Sequence, residues 1–474
     1  MPYLAACIAA FVALNLLSYF GNKFFAFRLG RSPVAAEIVR YYLVMAVSLA
    51  VNLTLMYVLV AGAGFHYLMA SASVSVILAV ANFAAHAGFS FKWRNEQAGC
   101  GCVVQVSPFF PSHGGGIEVV AGWLAAEHGA AGQPVVWFAG LGSGDSVPVV
   151  RQGMTVVPVR YVDPLEAWVG LPLPIWSPQG LARLWREVNG ASVVHVHDFL
   201  YFPSIMAILM AKMASVPVVL TQHIGELPFR SGVAGKLVSL LNKTLGRLIL
   251  GSADQVVFIA APVMEFFGTF VRYRRSPILI PNGVDHSIYT QGERSGSGAV
   301  IELLFVGRFV EKKGIHYLRQ CLDLEGVRWT FVGKGVLSPD AWTELPSDAR
   351  VIQDARGDDV VPFYQQADLL VLPSIGEGFP LVVQESLACG TPVLVGEVVA
   401  RTCPNRDPAC VFDVSLDGPD PVHAVRVAIE VLARDRGRLA SARTAASRLA
   451  AQWSWKGTAA KYREVYAAVR GVTS

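Results

Sequence analysis

Pro373-Ser374-Ile375-Gly376-Glu377-Gly378-Phe379-Pro380-Leu381-Val382-Val383-Gln384-Glu385 places two carboxylates eight residues apart around a Gly-Glu-Gly turn. An apolar, strand-like run, Leu369 to Leu372, precedes the turn, and a helix-like run, Leu381 to Cys389, follows it. A turn between strand and helix aims free backbone N–H groups and the positive end of a helix at one point, which suits a phosphate. Eight residues is slightly more than two helical turns, so Glu385 lies on roughly the same side of the helix as the turn. A carboxylate there can accept hydrogen bonds from paired ribose hydroxyls. The stretch reads as a receptor for a sugar nucleotide.

Glu-(seven residues)-Glu enclosing Gly-Phe-Pro, with Ala388-Cys389-Gly390-Thr391-Pro392-Val393 after it, resembles the retaining GT-B glycosyltransferases of family 4, and the resemblance runs from about residue 102 to about residue 470. It implies a GT-B fold, with two doubly wound parallel sheets forming a cleft between strand ends. It also implies donor contacts at Gly378, Phe379, Pro380 and Leu381, with Glu377 on donor-sugar hydroxyls and Glu385 on ribose. Within Val306-Gly307-Arg308-Phe309-Val310-Glu311-Lys312-Lys313-Gly314 the resemblance assigns Arg308 and Lys313 to the diphosphate. The leaving group gains negative charge as the glycosidic bond breaks, and an Arg fork plus a Lys point charge meets that need. Lys312 is expected to be solvated. Pro111-Ser112-His113-Gly114-Gly115-Gly116-Ile117-Glu118 joins the first strand to a helix, and the family uses this loop, here Gly115 and Gly116, near the donor phosphate and the acceptor. Only glycine lets a backbone come so close to a ligand. His223, in Thr221-Gln222-His223, matches a family histidine that hydrogen-bonds the donor sugar. His195 and His197 alternate along one strand and pair on one face, a structural or cleft-edge position without a third metal ligand.

The motifs offer no evident carboxylate beside the anomeric carbon. The expected chemistry is therefore front-face substitution with retention, the departing diphosphate taking the acceptor proton, rather than the covalent route of retaining hydrolases. Arg308, Lys313 and the helix end at Gly378-Phe379 supply the positive charge. No Asp-x-Asp pattern points to a metal, and Asp358-Asp359, Asp417 and Asp420 are loop acids. No cofactor and no metal are expected, and the nucleotide sugar is a substrate.

The chain has 474 residues, 53% hydrophobic and 16% charged, with a mean hydropathy of +0.45. That is too apolar for an ordinary soluble enzyme. The excess is N-terminal, since residues 1–22 and 41–91 carry no Asp, Glu, Lys or Arg. A spanning helix needs ~20 apolar residues, and spans are expected near 3–22, 42–61 and 67–88. The first span lacks the basic start and cleavage site of a signal peptide and reads as a retained anchor. Lys23, Arg28, Arg31 and Arg40 in the first loop, and Lys92 and Arg94 after the third span, put the catalytic part in the cytoplasm and the N-terminus outside. Ser18–Phe27 and Asn82–Phe91 repeat a polar-aromatic start and a closing Phe-x-Phe. This segment resembles the GtrA family, small four-span proteins associated with polyprenyl-linked sugars, over three spans. Asn15, Asn52, Asn82 and His86 are expected to hydrogen-bond between helices.

After Cys102, short Val-rich runs alternate with Ala/Leu-rich helical stretches, as in parallel sheets covered on both faces. Strands are expected at 102–106, 134–138, 154–159, 193–196, 217–221 and 255–259. After a Gly/Ser-rich linker, Tyr289 to Ala299, more follow at 301–306, 328–332, 350–353, 369–372 and 392–395. The expected domains are a GtrA-like membrane segment (1–95), an acceptor-side domain (96–285), a nucleotide-sugar domain (286–445) and a closing helix after Trp453-Ser454-Trp455 (446–474). Lys236, Lys243 and Arg247 share one helix face that suits either anionic lipid or solvent. Seven cysteines form no ligand set, and a net charge of +4 without a Lys/Arg run argues against nucleic acid.

Two functions fit. One is a membrane-anchored retaining glycosyltransferase, in the multi-pass inner membrane, that moves a sugar from a nucleotide donor to a lipid-linked or glycan acceptor for cell-surface polysaccharide or glycolipid. The other is translocation or binding of a polyprenyl-linked sugar, with the GT-B part as a recognition module. Intact Arg308, Lys313, Glu377 and Glu385 favour the first.

Overall fold

A computed structural model describes residues 15–23, 35–57, 67, 71, 74, 78, 82, 85–86, 101–163, 173–225, 233–292, 300–353, 355 and 357–471, with backbone alone for 35 and 233–242. Along the chain these residues form α1 (Ala35–Met56), β1 (Val103–Phe109), α2 (Gly116–Ala130), β2 (Val135–Leu141), β3 (Met154–Val162), β4 (Ile175–Trp176), α3 (Pro178–Gly190), β5 (Val193–His197), α4 (Phe202–Met213), β6 (Val218–Gln222), α5 (Val233–Ser252), β7 (Gln255–Phe258), α6 (Ala261–Gly268) and β8 (Ile278–Leu279). They continue with β9 (Ile301–Val306), a 3₁₀ turn at Glu311–Lys313, α7 (Ile315–Arg319), β10 (Val327–Val332), β11 (Arg350–Ile352), α8 (Val361–Gln366), β12 (Leu369–Leu372), α9 (Leu381–Ala388), β13 (Val393–Gly396), α10 (Glu397–Thr402), β14 (Val411–Val414), α11 (Pro421–Arg434), α12 (Arg436–Ala450) and α13 (Trp455–Val469). Every expected strand is present within a few residues. Three short strands, β4, β8 and β14, escaped the sequence reading.

The chain divides into two compact units. The first holds residues 1–112, 133–196 and 201–218. Its strands pair in the order β4-β3-β2-β1-β5, parallel except for β3 with β4. All seven residues of β1 are buried, which is why its sequence is a Val-rich run and not an alternation. Each buried Val contributes ~1.5–3 kcal/mol of transfer free energy, against ~1–2 kcal/mol for ordering its backbone, so a strand buried on both faces stabilises the sheet. Ser177 caps α3 by accepting from Gly180 N at 3.3 Å.

In the membrane-like part of this unit, Ala36–Met56 is the one helix among the described residues long and apolar enough to cross a bilayer. This helix contains residues 42–56 of the expected span at 42–61 and begins before it, so that Glu37 and Arg40 belong to the same helix. Most of the spans at 3–22 and 67–88 lies outside the described residues. Lys23, read as a loop charge, is instead 2% exposed, with Nζ 2.5 Å from Glu37 Oε2. Tyr41 donates to Ser18 Oγ at 2.9 Å and accepts from Asn22 Nδ2 at 2.9 Å, while His86 stacks on Tyr41 with ring centroids 4.0 Å apart. Asn82 Nδ2 donates to Ser48 Oγ at 2.9 Å, the interhelical bonding expected of polar groups at such positions.

The second unit holds residues 113–132, 197–200 and 219–474. It contains the strands β6-β7-β8 and a six-stranded parallel sheet, β11-β10-β9-β12-β13-β14. The last helix, α13, is capped by Ser454 and packs on α2. Trp455 stacks on Trp123 at 6.0 Å, and Tyr466 shares a 3.2 Å hydrogen bond with His128. Asp420 is no ligand acid: its Oδ1 accepts from His423 N at 2.9 Å and caps α11.

Candidate active site

Two loops leave the C-terminal ends of adjacent parallel strands, β9 and β12, and meet. Ile375 N donates to Lys312 O at 3.0 Å. Gly314 makes the approach possible: its φ is +74°, and a Cβ there would sit 2.0 Å from Pro373 O. The contact brings Lys313 Nζ to 3.0 Å from Glu377 Oε1. Burial pushes the Glu377 carboxyl up, but Lys313, Lys312 and Arg308 together outweigh it and hold the group below its ordinary value. Lys312 is not the solvated residue the sequence suggested. It is half-buried, and desolvation together with Lys313 and Arg308 lowers its pKa against the pull of Glu377 and Asp198. Arg308 is exposed at the end of β9, within electrostatic reach of Glu377, Lys312 and Glu118.

Gly378 lies against the end of β6. A Cβ there would meet His223 O at 2.4 Å and Ile259 Cδ1 at 2.9 Å, so only glycine lets the turn reach that strand end. His223 is buried, and its Nε2 shares a 3.0 Å hydrogen bond with His197 Nδ1. His197, which shares β5 with His195, thus also has a partner on the neighbouring strand end. Burial lowers the His223 pKa to about 3, so the ring is neutral and Nδ1 is the nitrogen left for a ligand. The Phe379 side chain is not directed at a ligand: it is buried edge-to-face on Trp453, at 5.0 Å. Any donor contact from Phe379 thus falls to its backbone. Pro380 precedes α9, and no side chain caps that helix, so the first N–H groups at Leu381 are left to a ligand or solvent.

Three family models match this chain: "GtrA/DPMS, transmembrane domain" over residues 1–91, "Glycosyltransferase Family 4" over 114–288 and "Glycosyl transferases group 1" over 301–415. A D-inositol 3-phosphate glycosyltransferase of Xylanimonas cellulosilytica is 30% identical over 319 residues, 60% of this chain and 74% of that protein. The chain belongs to glycosyltransferase family 4. A glycogen synthase of Mycobacterium tuberculosis is 26% identical over 394 residues, 73% of this chain and 89% of that protein. Among solved structures, Anabaena Alr3699/HepE in complex with UDP and glucose aligns with a TM-score of 0.57 at 14% identity, covering 77% of this chain and 99% of that one. The fold is GT-B-like, and the N-terminal segment is of the GtrA type and associates the chain with a membrane.

In this family 4 glycosyltransferase several site residues were not legible from the motifs. Glu385 Oε2 accepts from Tyr364 Oη at 2.8 Å, and Tyr289 hydrogen-bonds to the same carboxylate. Burial raises Glu385 to about 6, and the two phenols oppose the rise. Tyr289 was read as the start of a linker, yet its ring packs on Tyr364 at 6.2 Å. The remaining linker residues, 293–299, lie outside the described residues. Glu118 and Asp198, which lie in the motifs but were given no role there, are buried carboxyls electrostatically coupled to each other, Glu118 to Arg308 and Asp198 to Lys312. Glu118 follows Gly115 and Gly116 in the first turn of α2, and its carboxylate lies over Gly115, where a Cβ would come 2.0 Å from Oε2. Lys243 and Arg247 are exposed on α5, as a lipid or solvent face requires; the Lys236 side chain is outside the described residues.

Proposed function

We propose that this glycosyltransferase is retaining and metal-independent, and that it moves a sugar from a nucleotide-sugar donor to a lipid-linked acceptor at the cytoplasmic face of a membrane. The observation that carries the proposal is the contact of the β9 and β12 loops. It gathers Lys313, Lys312 and Arg308 around Glu377, beside a helix N-terminus that no side chain caps. A diphosphate entering there meets backbone N–H groups and up to three cations. As the glycosidic bond lengthens, the growing charge on the phosphate oxygen is met by groups already in place, and the same oxygen can take the proton of the incoming hydroxyl. The cations supply what a metal supplies in other phosphate leaving-group sites. Glu377, fixed by Lys313, offers its second oxygen to donor-sugar hydroxyls, and neutral His223 offers Nδ1. Glu385, held by two phenols, presents its other oxygen to ribose hydroxyls. Support for a nucleotide sugar also comes from Anabaena Alr3699/HepE, solved with UDP and glucose. Support for a lipid-linked acceptor comes from the GtrA-type segment in the same chain.

The test is incubation of membranes carrying the full chain with labelled UDP-, ADP- and GDP-sugars, followed by lipid extraction and anomer analysis. Label in the lipid fraction with the donor's anomeric configuration is expected. Inverted configuration, or label confined to water-soluble products in the presence of native membranes, would remove the respective half of the proposal.

A further inference from the structure

The path from the membrane segment to the first unit's sheet is short. Fourteen residues separate His86 from Gly101, and they span at most about 50 Å even when fully extended. Gly101 is fastened where it enters: its carbonyl accepts from Gln133 Nε2 at 2.9 Å and from Ser192 Oγ at 2.9 Å. Parallel register lines up the first residues of four strands at this point, Met154 of β3, Val135 of β2, Val103 of β1 and Val193 of β5. The chain therefore arrives from the membrane segment at the N-terminal edge of this sheet. At the ordinary strand spacing those four strands are about 14 Å across.

That edge exposes apolar side chains where connections are ordinarily polar. Val149 is 84% exposed and Val150 61% exposed, in the connection that leads into β3. The end of this connection is held to the edge, since Arg151 O accepts from Met154 N at 3.1 Å and Gly153 O from Val135 N at 3.0 Å. On the other side, α4 ends beside the start of β5, where Pro217 O accepts from Val194 N at 2.9 Å. The last turns of α4 expose Leu209 at 40% and Met213 at 41%, neighbours on one helix face. The charges at this edge have one sign. Residues 133–134, 149–153, 189–192 and 212–217 include Arg151 and Lys212 and no Asp or Glu.

Exposed aliphatic groups beside cations suit a surface that has apolar tails beneath anionic headgroups. The tether selects that occupant. It keeps Gly101 within about 50 Å of the membrane segment, so lipid is at high effective concentration beside this edge. We infer that the N-terminal edge of this sheet, with Val149 and Val150 on one side and Met213 on the other, rests on an anionic membrane surface. The inference needs the membrane segment and depends on neither the proposed donor nor the proposed acceptor. β1 is seven residues long, so the loops at its far end lie about 23 Å from this edge. The contact orients the sheet and is separate from those loops.

The test uses the full chain in proteoliposomes of phosphatidylcholine, with or without phosphatidylglycerol. Cys102, Cys321, Cys389, Cys403 and Cys410 are buried, so Cys7→Ser and Cys100→Ser leave a background for single labels. An environment-sensitive fluorophore is attached in turn to Val149→Cys, Met213→Cys and Val162→Cys. Val162 is 66% exposed at the opposite end of β3 and is the control on the same sheet. Doxyl-labelled lipid should quench the labels at 149 and 213 at least about three-fold more than the label at 162, and more strongly with phosphatidylglycerol present. Equal quenching at all three positions overturns the inference, as does none at 149 and 213. A blue shift of those two labels that grows with protein concentration in detergent, without lipid quenching, identifies a second copy of the chain as the occupant and also overturns it. Val149→Asp with Val150→Asp should abolish quenching at 213 and leave the melting temperature nearly unchanged, because both side chains are already in water. Unchanged quenching at 213 in that variant refutes a shared contact. If Val149→Cys itself melts well below the parent, Val150→Cys takes its place.

Discussion

At the scale of single residues, charge placement decides the chemistry. Lys313 is held 3.0 Å from Glu377, and Arg308 is exposed and can turn to a diphosphate without leaving a buried charge unpaired. Arg308→Ala and Lys313→Ala are each expected to lower turnover by at least ~30-fold, about 2 kcal/mol of transition-state stabilisation, in a labelled-donor assay. Turnover by the double mutant at the parent rate would remove both from the leaving group. Because the positive charge comes from side chains, chelation with EDTA is expected to leave the rate unchanged; a rate restored only by added Mg²⁺ or Mn²⁺ would contradict this. Glu118 gives a pH signature. Its folded pKa, about 7, lies above the ordinary carboxylate value of 4.5. The folded state therefore binds this proton more tightly, and the resulting stability is present below pH ~4.5 and lost as pH rises through ~7. Glu118→Gln, which cannot ionise, should melt higher than the parent chain at pH 8 and show little advantage at pH 5. Parallel melting curves across that window would show that the carboxyl is not desolvated.

At the scale of elements, glycines set how closely loops approach. Gly314 lets the 3₁₀ turn after β9 touch the loop after β12, and Gly378 lets the turn before α9 touch the end of β6. Each contact joins segments far apart in the chain, and each brings a side chain to the site: Lys313 in the first case, His223 in the second. Gly314→Ala adds a clash with Pro373 O and strains a backbone at φ +74°. A loss of ~1–3 kcal/mol is expected, read as a lower midpoint in denaturant with unchanged slope. Gly378→Ala meets backbone on one side and the Ile259 side chain on the other, so its effect should fall more on activity than on stability as the turn shifts away from His223. An unaltered kcat/KM in Gly378→Ala would show that the turn and His223 need not touch. Ser177, Asp420 and Ser454 cap their helices by the ordinary side-chain-to-backbone bond, and these are framework, not site.

At the scale of the whole molecule, a catalytic part of GT-B type and a GtrA-type segment share one chain. On the function proposed above, the membrane segment would keep the catalytic part beside an acceptor that is itself in the membrane. The chain should stay with the pellet after carbonate washing. Protease added to inverted inner-membrane vesicles should release the catalytic part, whereas protease added to intact spheroplasts should not; cleavage from the outside would reverse the orientation read from Lys23, Arg28, Arg31, Arg40, Lys92 and Arg94.

The sequence alone determined the features that local chemistry encodes. Continuous Val-rich runs are strands buried on both faces, and β1, β5, β9 and β12 fall where those runs are. Gly-Glu-Gly between β12 and α9 is a strand-to-helix turn whatever surrounds it. Only the tertiary structure decided which side chains meet across large separations. His197 meets His223, Lys312 is half-buried rather than solvated, and Lys23 pairs with Glu37. Tyr289 and Tyr364 hold Glu385, and Glu118 and Asp198 come within reach of the cations. The reason is physical. Backbone conformation depends on neighbours a few residues away, which a motif contains. Desolvation and Coulomb interactions depend on distance in space, which is set only once the loops have closed on one another.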